Sequence, residues 1–154
     1  MDDLRMRNDK KALKTMSSHS ASNESILLSL KVMKINRKGK AQQRAILVTS
    51  RKIFNLMPDN FSKCNRCIEL AQLHHLSISP GAQEFALHVT HEYDYRFKTP
   101  KFDQIVKVLR GAYMNATSNE LEVQEVGDVD SLARNMMTKA SVKNSGGGGG
   151  KAAP

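Results

Sequence analysis

Tyr93-Asp94-Tyr95-Arg96-Phe97-Lys98-Thr99-Pro100-Lys101-Phe102-Asp103-Gln104-Ile105-Val106-Lys107-Val108-Leu109-Arg110-Gly111-Ala112-Tyr113 changes its period halfway along. Up to Lys98 the aromatic residues fall at every second position, the repeat of a strand with one face buried. Beyond it, Phe102, Ile105, Val106, Val108, Leu109, Ala112 and Tyr113 follow the i, i+3, i+4, i+7 spacing of an amphipathic helix. Thr99 suits an N-cap and Pro100 the first helical position, where a missing N–H costs nothing. The helix is expected to fray near Asn115.

Upstream of that switch the chain reads as short strands. Ser25-Ile26-Leu27-Leu28-Ser29-Leu30-Lys31-Val32-Met33-Lys34-Ile35 is the first, and Asn36-Arg37-Lys38-Gly39-Lys40 is a turn in which Gly39 can take a positive φ. Residues 41–49 return as the second strand, with Ile46 and Val48 on one face, so the two make a hairpin. Further strands are expected at 52–57, 66–70, 73–79, 84–89 and 93–98, the sixth alternating Phe85, Leu87, Val89. Seven short strands and then one amphipathic helix predict a mainly β domain: a seven-stranded, pleckstrin-homology-like barrel capped by a C-terminal helix.

The flanks are of another kind. Residues 1–24 are polar and charged, with Leu4, Met6, Leu13 and Met16 scattered, and read as disordered, with a short nascent helix near 2–15. Residues 25–115 form the domain. Residues 116–130 are an acidic segment, whose stretch from Glu120 to Asp130 holds five acids and no base. Residues 131–154 end in a glycine run and read as a flexible tail.

The 154 residues allow one domain, and the formal charge of +9 favours acidic partners. Two cysteines are too few for a disulfide framework. No apolar run is long enough to span a bilayer, the first residues lack the apolar stretch of a signal peptide, and Asp2 stands where N-myristoylation needs glycine. The expected setting is cytoplasmic, peripheral at the inner face of a membrane or on the cytoskeleton.

Three patterns carry chemistry. Lys31, Lys34, Arg37, Lys38, Lys40, Arg44, Arg51 and Lys52 occur with no acid between Glu24 and Asp59. A charge run is usually a solvated face, but this one is uncompensated and bends around a tight turn, where backbone N–H groups and converging side chains can surround a phosphate. Cys64-Asn65-Arg66-Cys67 is a CxxC followed by His74 and His75. Adjacent histidines on a strand point to opposite faces, and neither a βαβ setting nor a second ligand pair accompanies the motif, so metal and redox work are not expected. No nucleophile elbow, phosphate-binding glycine loop or metal-binding helix motif occurs, so no enzyme and no cofactor are expected.

The segments 32–39, 44–49, 68–79 and 85–89 resemble the first tail-homology domain of class I myosins, a pleckstrin-homology-like domain that binds phosphoinositides and other acidic lipids. The resemblance runs from about residue 30 to about residue 113, and no motor, light-chain-binding helix or SH3 module accompanies it. It implies a lipid site with a Lys at the end of the first strand and an Arg early in the second, matched here by Lys34 and Arg44, with Arg37, Lys38 and Lys40 on the loop between them. The family often carries a further base two positions before that Arg; Gln42 stands there, which argues against high phosphoinositide selectivity. The resulting expectation is a peripheral module for anionic phospholipid headgroups, linking membrane to cytoskeleton. The runner-up is a protein-interaction adaptor of the same fold, contacting a cytoskeletal or other protein without specific lipid binding. Nucleic acid is not expected, because exposed aromatics interleaved with the bases are missing.

Overall fold

The computed structural model describes residues 1–19 and 24–126. These form, in chain order, α1 (Lys10–His19), β1 (Ile26–Ile35), β2 (Ala41–Thr49), β3 (Lys52–Met57), β4 (Asn60–Glu69), β5 (Leu73–Ser79), β6 (Glu84–Val89), β7 (Tyr95–Lys98), α2 (Phe102–Thr117) and β8 (Val123–Glu125). The described residues divide into two compact units: residues 1–19, 24–33, 43–72 and 103–120 make one; residues 34–42, 73–102 and 121–126 make the other. The tail expected over 131–154 and the acidic segment beyond Val126 lie outside the described residues.

In the first unit the strands run in the order β4-β3-β2-β1. β2 pairs antiparallel with β3, Leu47 opposite Phe54 and Val48 opposite Ile53. β3 pairs antiparallel with β4, and the register slips on either side of Leu56. Ala45-Ile46-Leu47-Val48 and Ile53-Phe54-Asn55-Leu56 are buried at every position. Alternation sends only half of such a run to each face, so both faces need cover. On one face that cover is α1. Met6, Ala12 and Met16 pack with Ile26, Ala45, Leu47, Phe54 and Leu56, edged by Leu4, Phe61, Cys64 and Cys67.

The disorder expected over residues 1–24 is therefore corrected for residues 1–19, while residues 20–23 lie outside the described residues. Asp9 caps α1, its Oδ1 accepting the Ala12 N–H at 2.8 Å. Asp2 forms a parallel bridge with Ser29 and accepts the N–H groups of Met6 and Arg7 at 2.9 and 3.0 Å. Burial pushes the Asp2 carboxyl up, but the hydrogen bonds from Ser29, Arg7 and Met6 and the Arg7 charge outweigh it and leave it below its ordinary value. These polar ties and the α1 cluster together offset the ordering entropy of a segment with few apolar residues.

In the second unit the order is β7-β6-β5-β8. β6 pairs antiparallel with β5 and β7, placing Leu87 opposite Leu76 and Tyr95, and Phe85 opposite Phe97. β8 joins β5 in parallel, Leu76 opposite Val123. The acidic segment thus contributes an edge strand. Every residue of β6 is buried. Its one carboxylate, Glu84, is neutralised by the equally buried Arg96 of β7.

α2 begins where the period changes: the Lys101 N–H donates to Thr99 Oγ1 at 3.1 Å. Phe102, Ile105, Val106, Leu109 and Ala112 are all buried. It runs to Thr117 and so outlasts the expected end by about two residues, an ordinary margin for helix termini. The expected seven-stranded closed barrel with one helix is corrected in three respects. Among the described residues there are eight strands and two α-helices, and each set of four strands is an open ladder. β8 shows no period in three residues; the helix expected only as nascent near 2–15 is formed as α1 and buries Ala12, Thr15 and Met16, a face too small to mark it as packed.

Candidate functional site

Asn36 organises the turn between β1 and β2. Its Oδ1 accepts the N–H groups of Lys38 at 2.9 Å and Lys40 at 3.0 Å. Its carbonyl accepts the Gly39 N–H, and its own N–H donates to the Lys40 carbonyl, both at 2.9 Å. Asparagine does this because its short amide mimics a backbone turn. Gly39 sits at φ 83°, in the region that disfavours a Cβ. The turn therefore holds Arg37, Lys38 and Lys40 together and exposed.

This geometry changes the chemistry available. The N–H groups of Lys38, Gly39 and Lys40 are consumed inside the turn, so an anion there meets side chains, and the backbone cradle expected from the sequence is corrected. Lys34 lies two residues before Asn36, half-buried on β1. Arg44 lies on the part of β2 that belongs to the first unit, also half-buried, its Nη1 donating to the Gln43 carbonyl at 2.7 Å. Both side chains have further partners within the chain.

The basic stretch is not uniformly uncompensated. Lys52 pairs with Glu24 at 3.8 Å and Glu69 at 4.0 Å, and the Glu24 carboxylate is almost wholly buried. Lys52 is thus structural, whereas Lys31, Arg37, Lys38, Lys40 and Arg51 are exposed.

Pattern reading missed a polar network in the second unit. His88 Nε2 lies 2.7 Å from Ser77 Oγ, and His88 Nδ1 lies 2.9 Å from Asp94 Oδ2. The His75 ring stacks on His88 at 4.0 Å between centroids. Serine, histidine and carboxylate in this order are the parts of a hydrolytic triad. Here Ser77 is 2 % exposed, His88 4 % and Asp94 3 %, so no substrate carbonyl can reach the serine, and the group serves as internal hydrogen bonding. His88 lies on the opposite face of the strand from Phe85, Leu87 and Val89, and β6 is buried on both faces.

Cys64 and Cys67 are free thiols on β4 at the edge of the α1 cluster. Burial raises both, Cys67 to about 11, so neither is a thiolate near neutrality. Among the described residues no group of three or more His, Cys, Asp or Glu side chains is placed to hold a metal ion. None of the described helices is long and apolar enough to cross a membrane.

Comparison with known proteins adds a family and a fold. The family model described as "Unconventional myosin tail, actin- and lipid-binding" matches residues 1–144. The myosin IA heavy chain of Dictyostelium discoideum is 26% identical over 134 residues, 82% of this chain; the chain spans only 14% of that relative. Among solved structures, the hSac2 domain of the human phosphoinositide phosphatase Sac2 superposes with a TM-score of 0.59 at 12% identity, covering 75% of this chain and 86% of that one. The N-terminal PH domain of human ARAP2 superposes with a TM-score of 0.51 at 15% identity, covering 67% and 92%. At such identities the likeness is one of fold: a mainly β, pleckstrin-homology-like arrangement.

Proposed function

We propose, from the premise that this chain belongs to the unconventional myosin tail family, that it is a non-catalytic tail-homology-1 module of class I type that docks peripherally on anionic phospholipid headgroups, phosphoinositides among them. The observation that carries the reading is the turn itself: three exposed bases, Arg37, Lys38 and Lys40, held on a loop whose shape is fixed by Asn36 and Gly39. Each base close to an anionic leaflet adds about 1 kcal/mol of attraction. Lys34 and Arg44, on the strands that flank the turn, supply charge-assisted hydrogen bonds to a phosphate. Gln42, where a further base would sharpen selectivity, fits a site that reads charge more than headgroup identity. The module lies on the cytoplasmic side of a membrane and links it to the cytoskeleton.

Co-sedimentation with acidic and neutral vesicles tests this. Lys34→Ala together with Arg44→Ala should weaken binding to acidic vesicles by about tenfold or more, the usual loss for charge-assisted hydrogen bonds. Lys107→Ala, which removes an exposed charge from α2, should cost much less. Unchanged binding of a folded double variant means the hairpin is not the site.

A second reading, contact with a cytoskeletal protein, is favoured by the family description, which names actin beside lipid. Co-sedimentation with actin filaments in the absence of lipid separates the two.

A further inference from the structure

α1 buries one face and leaves another with nothing described to cover it. Ala12, Thr15 and Met16 point into the first unit. Lys10, Lys11, Leu13, Lys14, Ser17 and Ser18 are exposed. Leu13 is one of three large apolar side chains exposed among the described residues, at 40 %. It follows Lys10 by one helical turn and directly precedes Lys14, so an apolar side chain is bordered by cations. Residues 10–19 contain no acid. Asp9 spends one carboxylate oxygen on the Ala12 N–H as N-cap. Asp9 and Asp59 line the groove beside Lys10 and Lys11, and neither Lys14 nor Leu13 lines it. None of the three lysines makes an ion pair among the described residues.

Exposing a lone leucine is unremarkable for a soluble surface. Exposing it within an acid-free set of lysines, on a helix held to β4 by the fit of Thr15 Oγ1 against the Phe61 carbonyl at 2.8 Å, is a specific arrangement. A helix with a basic outer face and an apolar tooth suits one kind of partner: a surface that is anionic at its headgroups and apolar just beneath. We infer that the outward face of α1 is a second bilayer-contact surface, in which Lys10, Lys11 and Lys14 meet anionic headgroups and Leu13 enters the boundary between headgroups and acyl chains. The inference rests on the membrane reading above but not on the hairpin, because α1 can hold the module on an acidic leaflet whichever residues select a headgroup. Thr15, Met16 and the cap at Asp9 fix the helix to its own unit, so the outer face is formed before any membrane is met.

The chain contains no Trp, which makes a single reporter clean. Leu13→Trp and, as a control at another exposed apolar position, Met114→Trp are each mixed with acidic and with neutral phospholipid vesicles. The expected result is a blue shift of Trp emission at position 13 with acidic vesicles and a smaller shift or none at 114. In parallel, a Lys10→Gln, Lys11→Gln, Lys14→Gln variant should lose acidic-vesicle affinity on the order of a hundredfold, since each lysine near an anionic leaflet contributes about fivefold. A charge-matched Lys98→Gln, Lys101→Gln, Lys107→Gln variant should lose far less. Glutamine retains helix propensity, and circular dichroism confirms that α1 persists. If vesicles bind but position 13 does not shift and the two triple variants lose affinity equally, α1 is not a contact surface and the membrane reading stands without it. If the unaltered chain ignores acidic vesicles altogether, both fall.

Discussion

His75 faces His88 on β6, His74 beside it on β5, Asp94 ahead of β7 and Glu122 ahead of β8. Its Nδ1 lies 2.8 Å from that of His74, so one ring must donate and the other accept. Burial, then the charges of His88 and His74, lower His75 from 6.5 to about 4, against the smaller opposing pull of Glu122 and Asp94. A depressed histidine is neutral in the folded chain over a range in which the unfolded chain takes up a proton. Its contribution is therefore undiminished above pH 6.5 and is lost as the pH falls from there toward about 4. Asp2 acts with the carboxylate sign, its contribution present above its ordinary value of 3.8 and lost only below it, outside this window. Urea midpoints measured across this range should fall on acidification. His75→Phe, which keeps a ring over His88, should flatten that fall. An equally steep fall in the variant would assign the effect elsewhere. In the sequence His75 drew attention only as a neighbour of the CxxC, and only the pairing of β5 with β6 puts it face to face with His88. The turn residues are the opposite case. Asn36 and Gly39 were legible because their chemistry is local, although the loss of three backbone N–H groups to the turn was not.

α2 and α1 differ as elements in how openly they declare themselves. α2 carries five buried residues at helical spacing behind a Thr-Pro start, and its place follows from pattern alone. α1 offers Ala12, Thr15 and Met16, a face too small to recognise without the surface it meets. The demand for it was nevertheless written in β2 and β3, whose unbroken apolar runs cannot be satisfied by cover on one face. That dependence is testable. Met16 packs in the cluster with Phe54 and Leu56, and Met16→Ala should cost about 2–5 kcal/mol if the cluster is a true core. A loss near zero in chemical denaturation, or rapid amide exchange throughout residues 12–16, would restore the disordered reading. β8 has no such signature, because a three-residue edge strand is set by its neighbour's register and not by its own period.

At the scale of the whole molecule the excess of positive charge is apportioned. Of the eight bases between Glu24 and Asp59, Lys52 is tied to Glu24 and Glu69, while Arg37, Lys38 and Lys40 stand clear on the turn. A mainly β, pleckstrin-homology-like fold was legible from strand spacing and the late change of period. The extra strand, the extra helix and the open ladders depend on contacts distant in sequence, which spacing does not encode. The fold alone assigns no ligand, so function is decided by where a headgroup lands. The most direct measurement is a titration of the isotope-labelled chain with a soluble inositol phosphate, following backbone amide resonances. A headgroup seated on the hairpin gives the largest shifts within residues 34–44, reduced by added salt as the Debye length shortens to about 3 Å at 1 M. Shifts that leave 34–44 unmoved and gather elsewhere, or none at all beside intact binding to acidic vesicles, would contradict a hairpin site.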